Sequence, residues 1–376
     1  MNPYICRKEL NFYLIYNYKL NKILKCNSLN EVIKLINIEP IKIIENEPTN
    51  NAFSFPIKLF IDISNFCNLQ CIHCLSESSP KNHILLNEDK IISIVQECYQ
   101  HGIFQIKIGG GEPMLYPHFW ELIKNIRNIA PNIRLSFTTN GTLFKREDIL
   151  NIKKYECDIS ISLDGTREIH NLIRGRLIYD QVLQNIDILL DNDINPVIRY
   201  TLMDINKDCT LDVYNYCKKK GLLLKIRRYK PTKSEEKYLL NYDSKYYSLV
   251  EKLNALEGCD IEDIMKKESK ESKLLFCSHD CGAGFRSIYI DCKGQIMPCV
   301  FLGDKYIIGN IADKKIKSLW DNSIILDHLR NIKLAPNCKN CFRNNLCHGE
   351  CLGIKELYND DISSVDPGCC LRVNEI

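Results

Sequence analysis

No stretch of this 376-residue chain is apolar for long enough to span a membrane. The first ten residues are polar and lack the apolar core of a secretory signal. Both absences point to a cytoplasmic protein without a membrane partner. An excess of either charge is missing too: 50 Lys and Arg face 47 Asp and Glu, a net charge of +3. That balance argues against a nucleic-acid partner, and the basic runs at 218–220 and 227–230 read as solvated ends of helices and strands. There is no repeat of fixed period and no low-complexity tract. Cysteine, by contrast, is abundant, at 20 residues. In a reducing compartment such a chain binds metal more readily than it forms a disulfide framework. Cys6, Cys26, Cys98, Cys157, Cys209, Cys217 and Cys259 stand apart and read as small buried hydrophobes. The others fall into two groups.

The chain divides into four parts. Residues 1–55 read as a small N-terminal unit with a β-type run at 13–16 and an amphipathic helix at 29–36 capped by Ser28. A polar stretch at 45–51 reads as a linker. Residues 56–230 alternate apolar strands at 58–63, 104–108, 134–138, 158–163, 197–202 and 223–228 with helices at 88–100, 117–129, 179–191 and 211–220. Such alternation predicts an α/β fold with a parallel sheet, open or closed into a barrel. Residues 231–276 read as a charged helical linker, and 277–376 as a cysteine-rich, loop-like domain.

Cys67, Cys71 and Cys74 follow directly on the first strand of the alternating region. Three thiolates so close in sequence can fold around one cube of iron and sulfide, which ordinarily takes four ligands. Three leave one iron open to a small molecule, and the amino and carboxylate groups of S-adenosylmethionine suit that place. Structural zinc wants a closed set of four, with C-x-x-C pairs, and fits this spacing poorly. One βα unit later comes Gly109-Gly110-Gly111-Glu112-Pro113. Consecutive glycines admit close approach of backbone to a ligand, and Glu112 offers an acceptor for a cationic amino group. Asn140-Gly141, after the third strand, reads as a turn.

The C-x3-C-x2-C loop, the Gly-Gly-Gly-Glu-Pro strand end and Ser162-Leu163-Asp164-Gly165 together resemble the radical S-adenosylmethionine superfamily. The resemblance covers about 58–229. It implies a partial (β/α)6, TIM-like barrel with its chemistry at the C-terminal strand ends, and a [4Fe–4S] cluster on Cys67, Cys71 and Cys74 that reductively cleaves S-adenosylmethionine. By the same resemblance Gly109, Gly110, Gly111 and Glu112 bind the methionine amino group, Ser162 and Arg174 hold its carboxylate, and His73 stands beside the adenine where the family has Tyr or Phe. A one-electron reductant such as flavodoxin or ferredoxin is an implied partner.

The second group comprises Cys277, Cys281 and Cys299, then Cys338-x2-Cys341-x5-Cys347-x3-Cys351, and Cys369. A zinc ribbon competes for such pairs on spacing alone. The array resembles the SPASM domain, the C-terminal extension of radical S-adenosylmethionine enzymes that modify peptides and proteins. That resemblance implies two auxiliary [4Fe–4S] clusters. Cys277, Cys281, Cys299 and Cys351 would hold the nearer, and Cys338, Cys341, Cys347 and Cys369 the farther, with Cys292 and Cys370 as competing ligands.

Three functions remain open. The first is maturation of a ribosomally made precursor peptide by a thioether, a carbon–carbon crosslink or epimerisation, with 1–55 either docking a leader by strand addition or serving as a plain extension. The second is a sulfatase-type maturase, which would carry Asp after the cysteine matching Cys299; here Val300 stands there. The third is a non-enzymatic iron–sulfur or zinc protein, in which the glycine and Ser162/Arg174 motifs would have no purpose.

Overall fold

A computed structural model describes residues 3–36, 42–49, 51–230, 238–261, 282–333, 335–341, 351–359 and 361–369. Cys277, Cys281, Cys347 and Cys370 lie outside these, as do 231–237 and 262–276 of the expected linker. No helix of the described residues is long and apolar enough to cross a membrane.

The N-terminal part forms a four-stranded sheet from β1 (Tyr4–Lys8), β2 (Tyr13–Asn17), β3 (Lys22–Cys26) and β4 (Ile43–Glu45), in the order β3-β2-β1-β4. Helix α1 (Leu29–Ile36) buries Val32 and Ile36 against Cys6, Ile15 and Cys26. Its cap is as expected: Ser28 Oγ accepts from the Glu31 N–H at 3.3 Å, and the Glu31 carboxylate accepts from the Asn27 N–H. Arg7 of β1 is fully buried, with Nη1 donating to the carbonyls of Pro56 and Gly102. The unit is therefore bound to the larger domain through a buried cation.

The larger domain is a ten-stranded sheet. β5 (Lys58–Asp62), β6 (Gln105–Gly109), β7 (Arg134–Thr139), β8 (Cys157–Ser162), β9 (Val197–Leu202) and β10 (Leu224–Arg228) pair in parallel, each with the next. These are the six strands expected. Helices α2 (Glu88–Gln100), α3 (Phe119–Ile129), α4 (Arg146–Lys154), α5 (Arg167–Arg174), α6 (Tyr179–Asp191) and α7 (Thr210–Lys220) intervene. Two further parallel strands extend the sheet: β11 (Cys259–Ile261) beside β10, and β12 (Ser287–Ile290) beside β5. β13 (Gln295–Met297) and β14 (Gly309–Asn310) then add antiparallel to β12. The outer strands of the order are β11 and β14, so the barrel is open.

The residues after 229 thus hold more regular structure than a helical linker and loops. Helix α8 (Ser244–Asn254), helices α9 (Ile316–Asn322) and α10 (Ile324–Arg330), and the four short strands lie there. Runs of two to four residues are too short to show a period, which hid them in the sequence.

Burial alternates along the barrel strands. Leu59 and Ile61, Ile106 and Ile108, Leu135 and Phe137, and Leu224 and Ile226 join the apolar core. Lys58, Phe60, Asp62, Lys107, Arg134 and Lys225 instead line cavities inside the barrel. Barrel interiors are usually layers of branched apolar side chains; this one is polar and cationic. Of the isolated cysteines, Cys6, Cys26, Cys98, Cys157 and Cys217 are buried as expected, while Cys209 and Cys259 are half-exposed.

Candidate active site

The loop leaving β5 carries Cys67, Cys71 and Cys74, and all three line a cavity of about 260 Å³ at the C-terminal ends of the strands. The loop's own backbone supports the sulfurs. The Leu69 N–H donates to Cys67 Sγ at 3.4 Å and the Ser78 N–H to Cys74 Sγ at 3.2 Å. Burial pushes the Cys67 thiol up to about 12 and raises Cys71 and Cys74 as well. Metal ligation requires these thiols to lose their protons. No group of three or more Cys, His, Asp or Glu among the described residues is arranged to hold a single metal ion. The three sulfurs ring a cavity.

Gly110 and Gly111 fix the loop in place. The Gly111 N–H donates to Ser64 O at 2.6 Å and the Glu112 N–H to Phe66 O at 2.9 Å. A Cβ on Gly110, at φ +112°, would fall 2.2 Å from Ser64 O, and one on Gly111 would fall 1.9 Å from Phe66 O. The space of the missing side chains is thus taken by the cysteine loop's backbone. Gly109, Gly110 and Gly111 nevertheless line the cavity.

Glu112 is 1% exposed. Its carboxylate accepts from Thr139 Oγ1 at 2.7 Å, the Asn140 N–H at 2.8 Å and the Met114 N–H at 3.3 Å. An ionised carboxylate has about four acceptor positions, so one remains for a donor in the cavity. Burial pushes this carboxyl up to about 7, against the pull of those hydrogen bonds. Asn140 is no mere turn residue. It is buried, and its Nδ2 donates to Asn68 Oδ1 at 2.8 Å and reaches Cys67 Sγ at 3.8 Å.

Ser162 ends β8 on the cavity wall. Arg174 is tied to Asp164 through Nη2, and its Nη1 lies 3.7 Å from Cys71 Sγ. Its Nε is buried without a hydrogen-bond partner among the described residues. His73 lies 3.4 Å from Asp164 through Nε2, so its ring is oriented by that carboxylate. Burial works against ionisation of Asp164, but Arg174 and His73 outweigh it and hold the carboxyl well below the usual range. Asp164 also accepts from the Thr201 N–H at 2.9 Å. Three cavity residues have a buried polar atom with no hydrogen-bond partner among the described residues: His73 Nδ1, Thr138 Oγ1 and Arg174 Nε. Such groups require a hydrogen-bonding partner, as a polar, zwitterionic ligand would provide.

A second cavity, about 220 Å³, adjoins the first through Leu75, Ser76 and Gly109. Phe60, Val300 and Phe301 form apolar walls, and Cys299 lines it too. Asp62 Oδ2 accepts from Tyr289 OH at 2.7 Å and Ser76 Oγ at 2.8 Å, and burial pushes its carboxyl up to about 6. Lys107 lines the same cavity and is pushed well below its ordinary value by burial and by Arg199 and Lys58. Asp62, Lys107 and Tyr289 escaped sequence reasoning. Asp62 and Lys107 carry the signal of charge on the inward face of a strand, whereas Tyr289 lies on a strand too short to recognise.

Of the second cysteine group, Cys299 precedes the turn Val300–Leu302, and Cys351 precedes the helix Leu352–Asn359. A Cβ on Gly353 would lie 2.5 Å from Phe301 Cβ, so this helix rests directly on that turn and brings the two cysteine segments together. The Cys341 N–H donates to Cys338 O, and the Cys369 N–H to Asp366 O.

Comparison with known proteins agrees with this geometry. Residues 61–217 match the radical SAM superfamily and residues 281–342 match an iron–sulfur cluster-binding domain, SPASM. The chain is 27% identical to the mycofactocin maturase MftC of Mycobacterium tuberculosis, over 86% of this chain and 85% of that one. It is 24% identical to the subtilosin biosynthesis protein AlbA of Bacillus subtilis, over 73% and 62%. In fold it is similar to Streptococcus suis SuiB bound to S-adenosylmethionine, with a TM-score of 0.76 over 98% and 99% of the chains at 15% identity. It is similar too to anSMEcpe with bound AdoMet, with a TM-score of 0.69 over 85% and 96% at 22% identity. The chain belongs to the radical SAM superfamily and to its SPASM-containing subfamily. It is an enzyme that uses [4Fe–4S] clusters and S-adenosylmethionine.

Proposed function

We propose that this enzyme modifies a ribosomally made precursor peptide, forming a thioether or carbon–carbon crosslink or inverting a stereocentre. One observation carries the reading: an apolar-walled cavity connects the Cys67/Cys71/Cys74 pocket to Cys299. A side chain of a peptide lying there would face the cofactor pocket at one end and the SPASM region at the other. The relatives support this, since MftC is a maturase, AlbA serves bacteriocin biosynthesis and SuiB has been captured with its precursor peptide SuiA.

Cys67, Cys71 and Cys74 are the ligands of the S-adenosylmethionine-binding cluster in this reading. Cys299 and Cys351, with Cys277 and Cys281, hold the nearer auxiliary cluster. Cys338, Cys341, Cys347 and Cys369 hold the farther. The bound cluster and cofactor together supply a 5′-deoxyadenosyl radical able to take hydrogen from an unactivated carbon.

The chain's own residues bind, orient and shield. Glu112 offers its remaining acceptor position to the cofactor's ammonium, and Ser162 with Arg174 Nε addresses the carboxylate. His73, oriented by Asp164, presents Nδ1 to the pocket. Phe60, Leu75, Val300 and Phe301 exclude water from the reacting carbon. Asp62, held between Tyr289 and Ser76, is placed to keep or release a proton beside that carbon. Flavodoxin or ferredoxin is the expected reductant, and the cytoplasm the expected setting. Val300 leaves no carboxylate after Cys299, which disfavours formylglycine formation.

The test is anaerobic co-expression with any short peptide found encoded beside this gene, followed by mass spectrometry and chiral amino-acid analysis. Loss of two hydrogens indicates a crosslink, and an unchanged mass with a D-residue indicates epimerisation. An unmodified peptide alongside conversion of a small metabolite would overturn the peptide reading.

A further inference from the structure

A third cavity, about 430 Å³, lies at the opposite end of the barrel, where the strands begin. Lys58, Gln105, Arg134 and Lys225 start or nearly start their strands and point into it. Arg227 and Arg286 complete the cationic wall, and Asn21 of the N-terminal hairpin lines another side. Five cationic side chains therefore line one partly open cavity. Among the described residues Asp158 pairs with Arg134, and Asp260 with Arg227 and Lys225. Lys58 has no carboxylate partner among the described residues; its Nζ lies 5.4 Å from the Phe60 ring centroid. Burial, then Arg286, Lys225, Arg134 and Arg199, bring Lys58 down to about 8. Each of these neighbours is a cation.

Clustered cations are costly without an anion among them. The usual filling of a parallel barrel at this level is apolar, so the charge here is not a packing requirement. The cavity also lies away from Cys67, Glu112 and Arg174, which line the pocket at the other strand ends. Its volume falls in the range of small-molecule sites, roughly 300–1,000 Å³, and three parts of the chain line it.

We propose that this cavity is a binding site for a small oxyanion carrying two or more negative charges, a phosphate or a dicarboxylate. The ligand bridges Lys58, Lys225 and Arg286, and so ties the barrel to the start of the SPASM region. It acts as a stabilising or regulatory ligand, separate from the radical chemistry.

The test uses the full chain with its clusters reconstituted. Calorimetry and thermal unfolding are followed with sodium phosphate, with sodium succinate, and with sodium chloride at matched ionic strength. Saturable 1:1 binding is expected for phosphate or succinate and none for chloride, with a rise in Tm at saturation. Tighter binding of phosphate assigns the phosphate class, and tighter binding of succinate assigns the dicarboxylate class. Lys58→Met and Lys225→Met should each weaken binding at least ten-fold, and Lys58→Arg should retain it. Basal release of 5′-deoxyadenosine should be unchanged in all three, which also shows that they fold. Absence of saturable binding of both anions, or equal binding by wild type and both Met variants, overturns the proposal.

Discussion

Arg228 at the end of β10 and Asp366 of the C-terminal segment form a two-pronged ion pair, 3.1 Å at each contact, with side chains 1% and 2% exposed. Asp366 also accepts from the Gly368 N–H at 2.8 Å and from the Cys351 N–H at 3.4 Å. The pair thus joins a barrel strand to two cysteine-bearing segments. Removing one partner of such a pair strands a buried charge and costs about 3–5 kcal/mol. Asp366→Ala should therefore lower the denaturation midpoint sharply and reduce auxiliary iron content, while Arg228→Met with Asp366→Leu should recover much of the stability. Additive losses in the double variant would show that the two residues act separately.

Gly111 is irreplaceable for a reason distinct from ligand binding. A Cβ there would meet Phe66 O at 1.9 Å, so Gly111→Ala must displace the cysteine loop. Gly221→Ala is the comparison: its φ is +67° but nothing lies within 4 Å, so it should cost only about 1 kcal/mol. Iron retention after reconstitution separates them, with Gly111→Ala losing the first cluster and Gly221→Ala keeping it. Equal iron content in the two would refute the account.

Iron analysis also tests the cluster inventory. Three cysteine-ligated four-iron clusters give about twelve irons per chain. Replacing Cys67, Cys71 and Cys74 together by Ala should leave about eight and abolish 5′-deoxyadenosine formation. Stoichiometric zinc with only one four-iron cluster would remove the auxiliary clusters from the reading.

Much of this was legible in sequence because the barrel strands obey a simple rule. The pattern Leu59/Ile61 and Ile106/Ile108, with helices between, is visible without coordinates. Cys67–Cys74 spacing and the glycine run were equally plain. What escaped notice depends on distant segments meeting. Tyr289 reaches Asp62 only because β12 joins β5 in parallel, across 227 positions of sequence. Arg174 read as a carboxylate ligand, yet much of its guanidinium is engaged by Asp164 and Cys71. Asn140 read as a turn, because nothing local announces that its amide supports Glu112.

Asp62 gives a pH test with a definite sign. Burial raises its carboxyl from the ordinary 3.8 to about 6. The folded state therefore holds this proton more tightly than the unfolded chain does. Its contribution to stability is complete below pH 3.8 and is lost as pH rises through 6. The shift corresponds to roughly 3 kcal/mol at most. Asp62→Asn removes the titration, so its urea midpoint should change less between pH 4.5 and 7.5 than that of wild type. Parallel pH profiles would mean that Asp62 is not protonated in the folded enzyme.

The N-terminal sheet makes the last prediction. β3 is an outer strand of the order β3-β2-β1-β4, and Leu24 on it is 36% exposed. An unpaired strand edge is a template for adding a peptide strand, and a leader docked there would raise the local concentration of the attached core peptide. Deleting the whole unit would confuse the test, because Arg7 and Glu9 make buried contacts with Pro56, Gly102 and Ser54. Leu24→Lys leaves those contacts in place. It should raise KM for the full-length precursor several-fold, with kcat nearly unchanged. Turnover of a leaderless core peptide and the basal release of 5′-deoxyadenosine should both be unaffected. If Leu24→Lys slows both peptides equally, the edge of β3 has no part in docking and the N-terminal sheet serves the stability of the fold.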